Sequence, residues 1–153
     1  MFSYKTDAVV LSRLPRGEAD ALYTLYTREF GKVQAIAQGV KKESAKLRGH
    51  LEPLCLSSVQ FVLGRNQERL THATGIRGWS RIREDWEKIT AAQNMLDLVQ
   101  DHCFPGEKDT CVWNLLLESL LVLEEREFSQ EVAVRFRDRL NVCLGVARSP
   151  SAA

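Results

Sequence analysis

Residues 21–39 read ALYTLYTREFGKVQAIAQG. The first part, ALYTLYTREF, is rich in leucine, threonine and aromatic residues, the composition of a strand. Gly31 then separates it from a second run, which is a hairpin signal. In KVQAIAQG the apolar Val33, Ala35 and Ala37 alternate with Lys32, Gln34 and Gln38, the period-two pattern of a half-buried strand. Further strands lie on both sides. Upstream, KTDAVVLSRL has the same strand composition. Downstream, LSSVQFVLG alternates through Val59, Phe61 and Leu63, GRNQER reads as a turn, and LTHATGIRG as a last strand. Five short strands with turn signals at this spacing predict a small closed β-barrel.

The period changes at Trp79 and Ser80. From SRIREDWEKITAAQNMLDLVQDHC onward, Ile82, Trp86, Ile89, Leu96, Val99 and Cys103 recur at helical spacing. Ser80 is the expected N-cap, with Glu84 and Asp85 in early turns where carboxylates favour the helix dipole. Pro105 and Gly106 break the pattern. A second helix follows over TCVWNLLLESLLVLEE, capped by Asp109 or Thr110. Its apolar set (Val112, Trp113, Leu115, Leu116, Leu117, Leu120, Leu121, Leu123) covers most of its circumference. A third helix, capped by Ser129, carries Val132, Phe136, Leu140 and Cys143 on its inner stripe and stops at Gly145. The fold class expected is therefore α+β: a barrel over 1–79, a small helical domain over 80–146 and a disordered tail over 147–153.

The chain has 153 residues, 44% of them hydrophobic, enough for a real core. Its longest apolar run, LLLESLLVL, is broken by Glu118 and Ser119 and is too short for a membrane span. The N-terminus carries no secretory-leader pattern. Cys55, Cys103, Cys111 and Cys143 are widely and irregularly spaced, which predicts reduced thiols and a cytoplasmic setting. A formal net charge of +1 hides an asymmetry. Residues 1–80 carry twelve lysines and arginines against seven acids, and the remainder nine against thirteen. That division points to a polyanion partner for the first half.

The charge peaks in GVKKESAKLRGHLEPL, residues 39–54, where Lys41, Lys42, Lys46 and Arg48 accompany the single acid Glu43 between Gly39 and Gly49. A loop held by barrel strands is a usual place for phosphate contacts. A solvated loop that only maintains solubility is the plain alternative. Arg13, Arg16, Lys32, Arg65 and Arg69 fall near strand ends or on polar strand faces and could extend the loop into a stripe, giving nine candidate nucleic-acid-binding residues. Tyr4, Tyr23, Tyr26 and Phe61 are the candidate base-stacking aromatics, although Phe61 alternates with core residues. Tyr23 and Tyr26 have opposite parity, so at most one is expected to face outward.

His102, Cys103 and Cys111 form no metal-ligand pattern, since no CxxC pair and no fourth ligand accompany them. No metal and no cofactor are expected. GVKKES lacks the second glycine and the Gly-Lys-Ser/Thr ending of a phosphate-binding loop, and GxSxG and GxGxxG are absent. The carboxylates of GEAD and REDWE read as solvated or capping groups. No enzyme is expected.

From Tyr4 to about Gly145 the chain resembles the bacterial recombination mediator RecO family. The matching elements are the opening strand with Lys5-Thr6, GEAD (Gly17 to Asp20), LYTREFGK, the cation loop after Gly39, GHLEPL with Gly49, Leu51 and Pro53, and RIREDWEKI with Arg83, Glu84 and Asp85. The resemblance implies an OB-fold followed by a helical domain. It also implies binding of single- and double-stranded DNA, strand annealing, and loading of recombinase at gaps with RecR and single-stranded DNA-binding protein (SSB), without catalysis. In that family the chain usually continues past the position of Leu144-Gly145 into further helices, often with a four-cysteine zinc element. Here VARSPSAA follows, so a short form without that element is expected, with uncovered leucines on the second helix available to a second copy or a partner. An OB-fold protein-interaction adaptor and an RNA-binding module are the alternative functions.

Overall fold

A computed structural model describes residues 2–39 and 47–146. Lys41, Lys42 and Lys46 and the expected tail at 147–153 lie outside the described residues. The chain divides into two compact units, Met1–Gly78 with His102–Lys108, and Trp79–Asp101 with Asp109–Ala153.

The first unit is built on five strands: β1 (Ser3–Arg16), β2 (Asp20–Thr27), β3 (Gly31–Ala37), β4 (Leu56–Leu63) and β5 (Glu68–Arg77). They close into a barrel in the order β1-β2-β3-β5-β4. All neighbours run antiparallel except β3 and β5, which pair in parallel through Ala35 opposite Glu68 and Ile36 opposite Arg69. β1 is long because it serves two neighbours. Residues Ser3–Val9 pair with β4 and Ala8–Arg16 with β2, and the register shifts between Val10 and Ser12. An extra residue at such a shift bends a strand and reverses which face its side chains take.

Ala8, Val10, Tyr23, Leu25, Val59, Phe61 and Leu70 pack inside the barrel, joined by Leu47 and Leu51 from the connection between β3 and β4. Residues 47–50 are helical. Fully burying each leucine contributes about 1.5–3 kcal/mol. Tyr4, Phe30 and Phe61 make an aromatic cluster, with Tyr4 stacked on Phe61 at 5.4 Å and edge-on to Phe30 at 5.3 Å. Parity did not expose a tyrosine: Tyr23 and Tyr26 are both buried. Parity assigns a face, and β2 is buried on both faces from Ala21 to Thr27.

The β2–β3 hairpin turns at Gly31, whose φ is +64°. The Thr27 hydroxyl donates to the Gly31 carbonyl at 2.8 Å and accepts the Phe30 N–H at 2.9 Å. The 102–108 segment docks here. The Gly106 N–H donates to the Lys32 carbonyl at 3.0 Å, and Lys108 pairs with Glu29 at 3.1 Å. A side chain at position 31 would meet the Glu107 carbonyl oxygen at 2.0 Å, so this close approach requires glycine.

The second unit holds α1 (Ser80–Glu84), α2 (Trp86–His102), α3 (Thr110–Glu125) and α4 (Gln130–Cys143). The single first helix expected from periodicity is broken at Asp85. Its carboxylate accepts from the N–H groups of Glu87 and Lys88 and so caps α2 rather than sitting inside a helix. The break shifts the phase, and Trp86, expected on the inner stripe, is 81% exposed. Trp79, in the left-handed region at φ 58°, precedes α1 without a side-chain cap. The Glu124 carboxylate serves instead, accepting from Arg81 and Ile82 N–H groups at 3.0 Å. Asp109 and Ser129 cap α3 and α4.

The expectation of four reduced thiols fails. Cys111 and Cys143 form a disulfide with a Cα–Cα distance of 5.7 Å, while Cys55 and Cys103 are free and buried. A separation of 32 residues concealed a meeting between the start of α3 and the end of α4, which run antiparallel. The expected uncovered leucine surface is also missing. Leu115, Leu116, Leu120 and Leu123 are buried, Leu117 and Leu121 are half-buried, and no large apolar side chain of α3 is exposed among the described residues. Among those residues no helix is long and apolar enough to cross a membrane.

Candidate nucleic-acid interface

Three connections of the barrel converge. The β1–β2 turn is made by Gly17 at φ +60°, which returns the chain so that Arg16 faces Asp20. The β4–β5 turn closes through a 2.9 Å bond from the Gly64 N–H to the Gln67 carbonyl and carries Arg65 at its tip. Arg16 Nη1 donates to Gln67 Oε1 at 3.3 Å, tying the two turns across 51 positions of sequence. The exit of β3 joins them: Arg69 Nη1 donates to Gln38 Oε1 at 3.4 Å. The Gly39 N–H donates to Asp20 Oδ1 at 2.7 Å. Gly39 lies so close to the β1–β2 turn that a Cβ there would sit 2.1 Å from that of Ala19. The GEAD segment is therefore structural. Gly17 makes the turn, and Asp20 anchors the point from which the lysine-rich segment departs.

Arg16, Arg65 and Arg69 thus come together at these connections, whereas Arg13 shares the inward face of β1 with Tyr23, opposite to the face of Arg16. Arg16 and Arg65 are exposed, Arg13 and Arg69 half-buried. The hydrogen-bond partners of Arg13, Arg16 and Arg69 are neutral. Arg13 Nε donates to the Tyr23 hydroxyl at 3.2 Å, with its guanidinium carbon 6.0 Å from that ring. Among the described residues, none of these four arginines pairs with a carboxylate. Glu18, Asp20 and Glu68 lie in the same turns, and the Asp20 carboxylate accepts the Gly39 bond. Guanidinium groups held by neutral amides keep donors free for phosphate oxygens.

The other candidates do not join this group. Lys32 sits opposite Tyr26 beside the β2–β3 hairpin. It is six residues from Gln38, or about 20 Å along an extended strand. Arg48 lies in the helical residues 47–50. There the His50 carbonyl accepts from the Ser57 hydroxyl, and His50 Nδ1 accepts from the Gly75 N–H at 3.0 Å. That places Arg48 near the start of β4 and the end of β5, away from Arg69. One continuous stripe is not formed by the described cations. Gln38, Gln67 and the anchoring role of Asp20 were missed from sequence, because each acts through a partner distant in the chain.

Five strands closed by a parallel β3–β5 pair, with two turns and the β3 exit meeting at one basic site, define an OB-fold domain, here followed by helices. A family model described as "Recombination protein O N terminal" matches residues 1–79. The chain belongs to the recombination protein O family. The "DNA repair protein RecO" of Gloeobacter violaceus is 33% identical over 118 residues, covering 77% of this chain and 45% of the relative. That of Acaryochloris marina is 27% identical over 148 residues, covering 97% and 50%. That of Pelotomaculum thermopropionicum is 34% identical over 120 residues, covering 78% and 47%. The chain spans about half the length of the curated relatives it matches.

Proposed function

We propose that this chain is a DNA-binding repair and recombination protein that holds strands through phosphate contacts at the Arg16–Arg65–Arg69 site. The observation that carries the reading is the convergence of Arg16 and Arg69, bound to neutral glutamines, with the exposed Arg65 at the turns of an OB-fold barrel. The relatives' name, DNA repair protein, agrees with it. Glu18, Asp20 and Glu68 lie in the same turns and offset part of this charge. Two DNA backbones repel each other. A basic site screens that repulsion, concentrates strands and promotes annealing without a chemical step. By family resemblance, RecR and SSB are the protein partners, and loading of recombinase at gaps in the cytoplasm is the cellular outcome.

The test is a strand-annealing assay with naked and SSB-coated complementary oligonucleotides across a salt series. Annealing that accelerates at low salt and fades as salt rises is expected. A rate equal to the spontaneous rate at every salt concentration overturns the annealing role. Preference for RNA over DNA of equal sequence would favour an RNA-binding module, since only RNA offers a 2′-hydroxyl.

A further inference from the structure

We infer that Phe2 and Leu63 form an apolar shelf on which an unpaired base of single-stranded DNA stacks. This inference rests on the proposed function and extends its site to a specificity element. Phe2 is 80% exposed and Leu63 is 55% exposed, although both belong by position to the barrel's inward stripe. Phe2 continues the series Tyr4, Thr6, Ala8, and Leu63 continues Val59 and Phe61, side chains that are buried or half-buried. The stripe has simply run past the end of the barrel.

The register places the two side by side. β1 and β4 pair with Ser3 opposite Val62 and Tyr4 opposite Phe61. Continued by one residue, this sets Phe2 opposite Leu63, with Cα atoms about 5 Å apart. Directly below lies the packed cluster of Tyr4, Phe61 and Phe30, which gives the shelf a rigid base. The β4–β5 turn begins at the next residue, Gly64, and its exposed Arg65 is two positions from Leu63. Two residues span at most about 7 Å. The apolar face therefore lies within two residues of Arg65, an exposed cation of the basic site.

This pairing suits a single strand. The cation holds the phosphate, and the aromatic face meets the base that a phosphate contact brings alongside. In a duplex the base faces are already stacked, so the shelf adds affinity for single strands only. The buried Tyr23, Tyr26 and Phe61 cannot do this, and Tyr4 is engaged with its two aromatic neighbours.

The experiment compares wild type, Phe2→Ala and Phe2→Trp by fluorescence anisotropy, with a labelled 20-nucleotide oligo-dT and a labelled 20-base-pair duplex. Phe2→Ala is expected to weaken single-strand binding on the order of tenfold. Its salt slope should stay unchanged, duplex affinity should move less than twofold, and Phe2→Trp should restore binding. Equal single-strand affinity in Phe2→Ala refutes the shelf while leaving the basic site intact. An equal loss on duplex also refutes it, because the effect would then be structural. A wild-type chain that binds neither oligonucleotide refutes the proposed function and this inference together.

Discussion

Replacing Arg16, Arg65 and Arg69 together by glutamine tests the basic site through its salt dependence. Glutamine removes the charge but keeps a polar group able to bond Gln67 or Gln38. Arg16 and Arg65 are exposed and Arg69 is half-buried, so each change should alter stability by no more than about 0.5 kcal/mol. Each phosphate neutralised on a single strand contributes about −0.7 to the slope of log affinity against log salt. Three lost contacts should therefore flatten the slope by about 2.1, whatever the lysines outside the described residues contribute. Over a fourfold rise in salt, wild type should lose roughly 18 times more affinity than the variant. Anisotropy of labelled oligo-dT between 50 and 200 mM salt reads both slopes (about a fourfold range). A variant with the wild-type slope would show that these arginines touch no phosphate, and the convergence at the turns would then be a structural feature alone.

Other outcomes follow from single contacts. Under non-reducing conditions the unfolded chain should expose two reactive thiols, Cys55 and Cys103, and reduction should lower stability in urea by about 3–4 kcal/mol, the loop-closure value for a 32-residue separation. Four titratable thiols in the untreated protein would contradict the Cys111–Cys143 bond. Gly31→Ala forces an L-residue into φ +64° and its methyl against the Glu107 carbonyl. It should cost about 3 kcal/mol of stability, read as a lower urea midpoint, and an unchanged midpoint would mean that the 102–108 segment does not dock as described. Asp20→Ala removes the acceptor of the Gly39 N–H and should cost about 1–2 kcal/mol by the same measurement. A neutral result would show that this bond does not anchor the β3 exit.

The strands were legible because their signal is local. Val33, Ala35 and Ala37 alternate with polar residues, and burial follows that alternation. Gly31 marked its hairpin, and the Asp109 and Ser129 caps could be read from the residues that follow them. What escaped reading depends on partners far along the chain. The Arg16–Gln67 bond spans 51 positions and the Glu124 cap on α1 spans 42 or 43, and neither leaves a periodic trace. The disulfide was hidden for the same reason. Asp85 had the chemistry of a cap, yet the apolar spacing ran through it and concealed the break that exposes Trp86. At the candidate site the residue types were visible and their grouping was not. Composition placed the emphasis on residues 39–50, of which 40–46 lie outside the described residues, and gave no sign that Arg16 and Arg69 would meet through Gln67 and Gln38.

The central claim is tested most directly by an amide chemical-shift map of the isotopically labelled chain titrated with oligo-dT. Progressive, salt-sensitive shifts are expected at residues 16–20, 38–39 and 64–69, the three connections that meet through Arg16–Gln67, Arg69–Gln38 and Asp20–Gly39. Shifts confined to the helices between Ser80 and Cys143, or none at low salt, would contradict it.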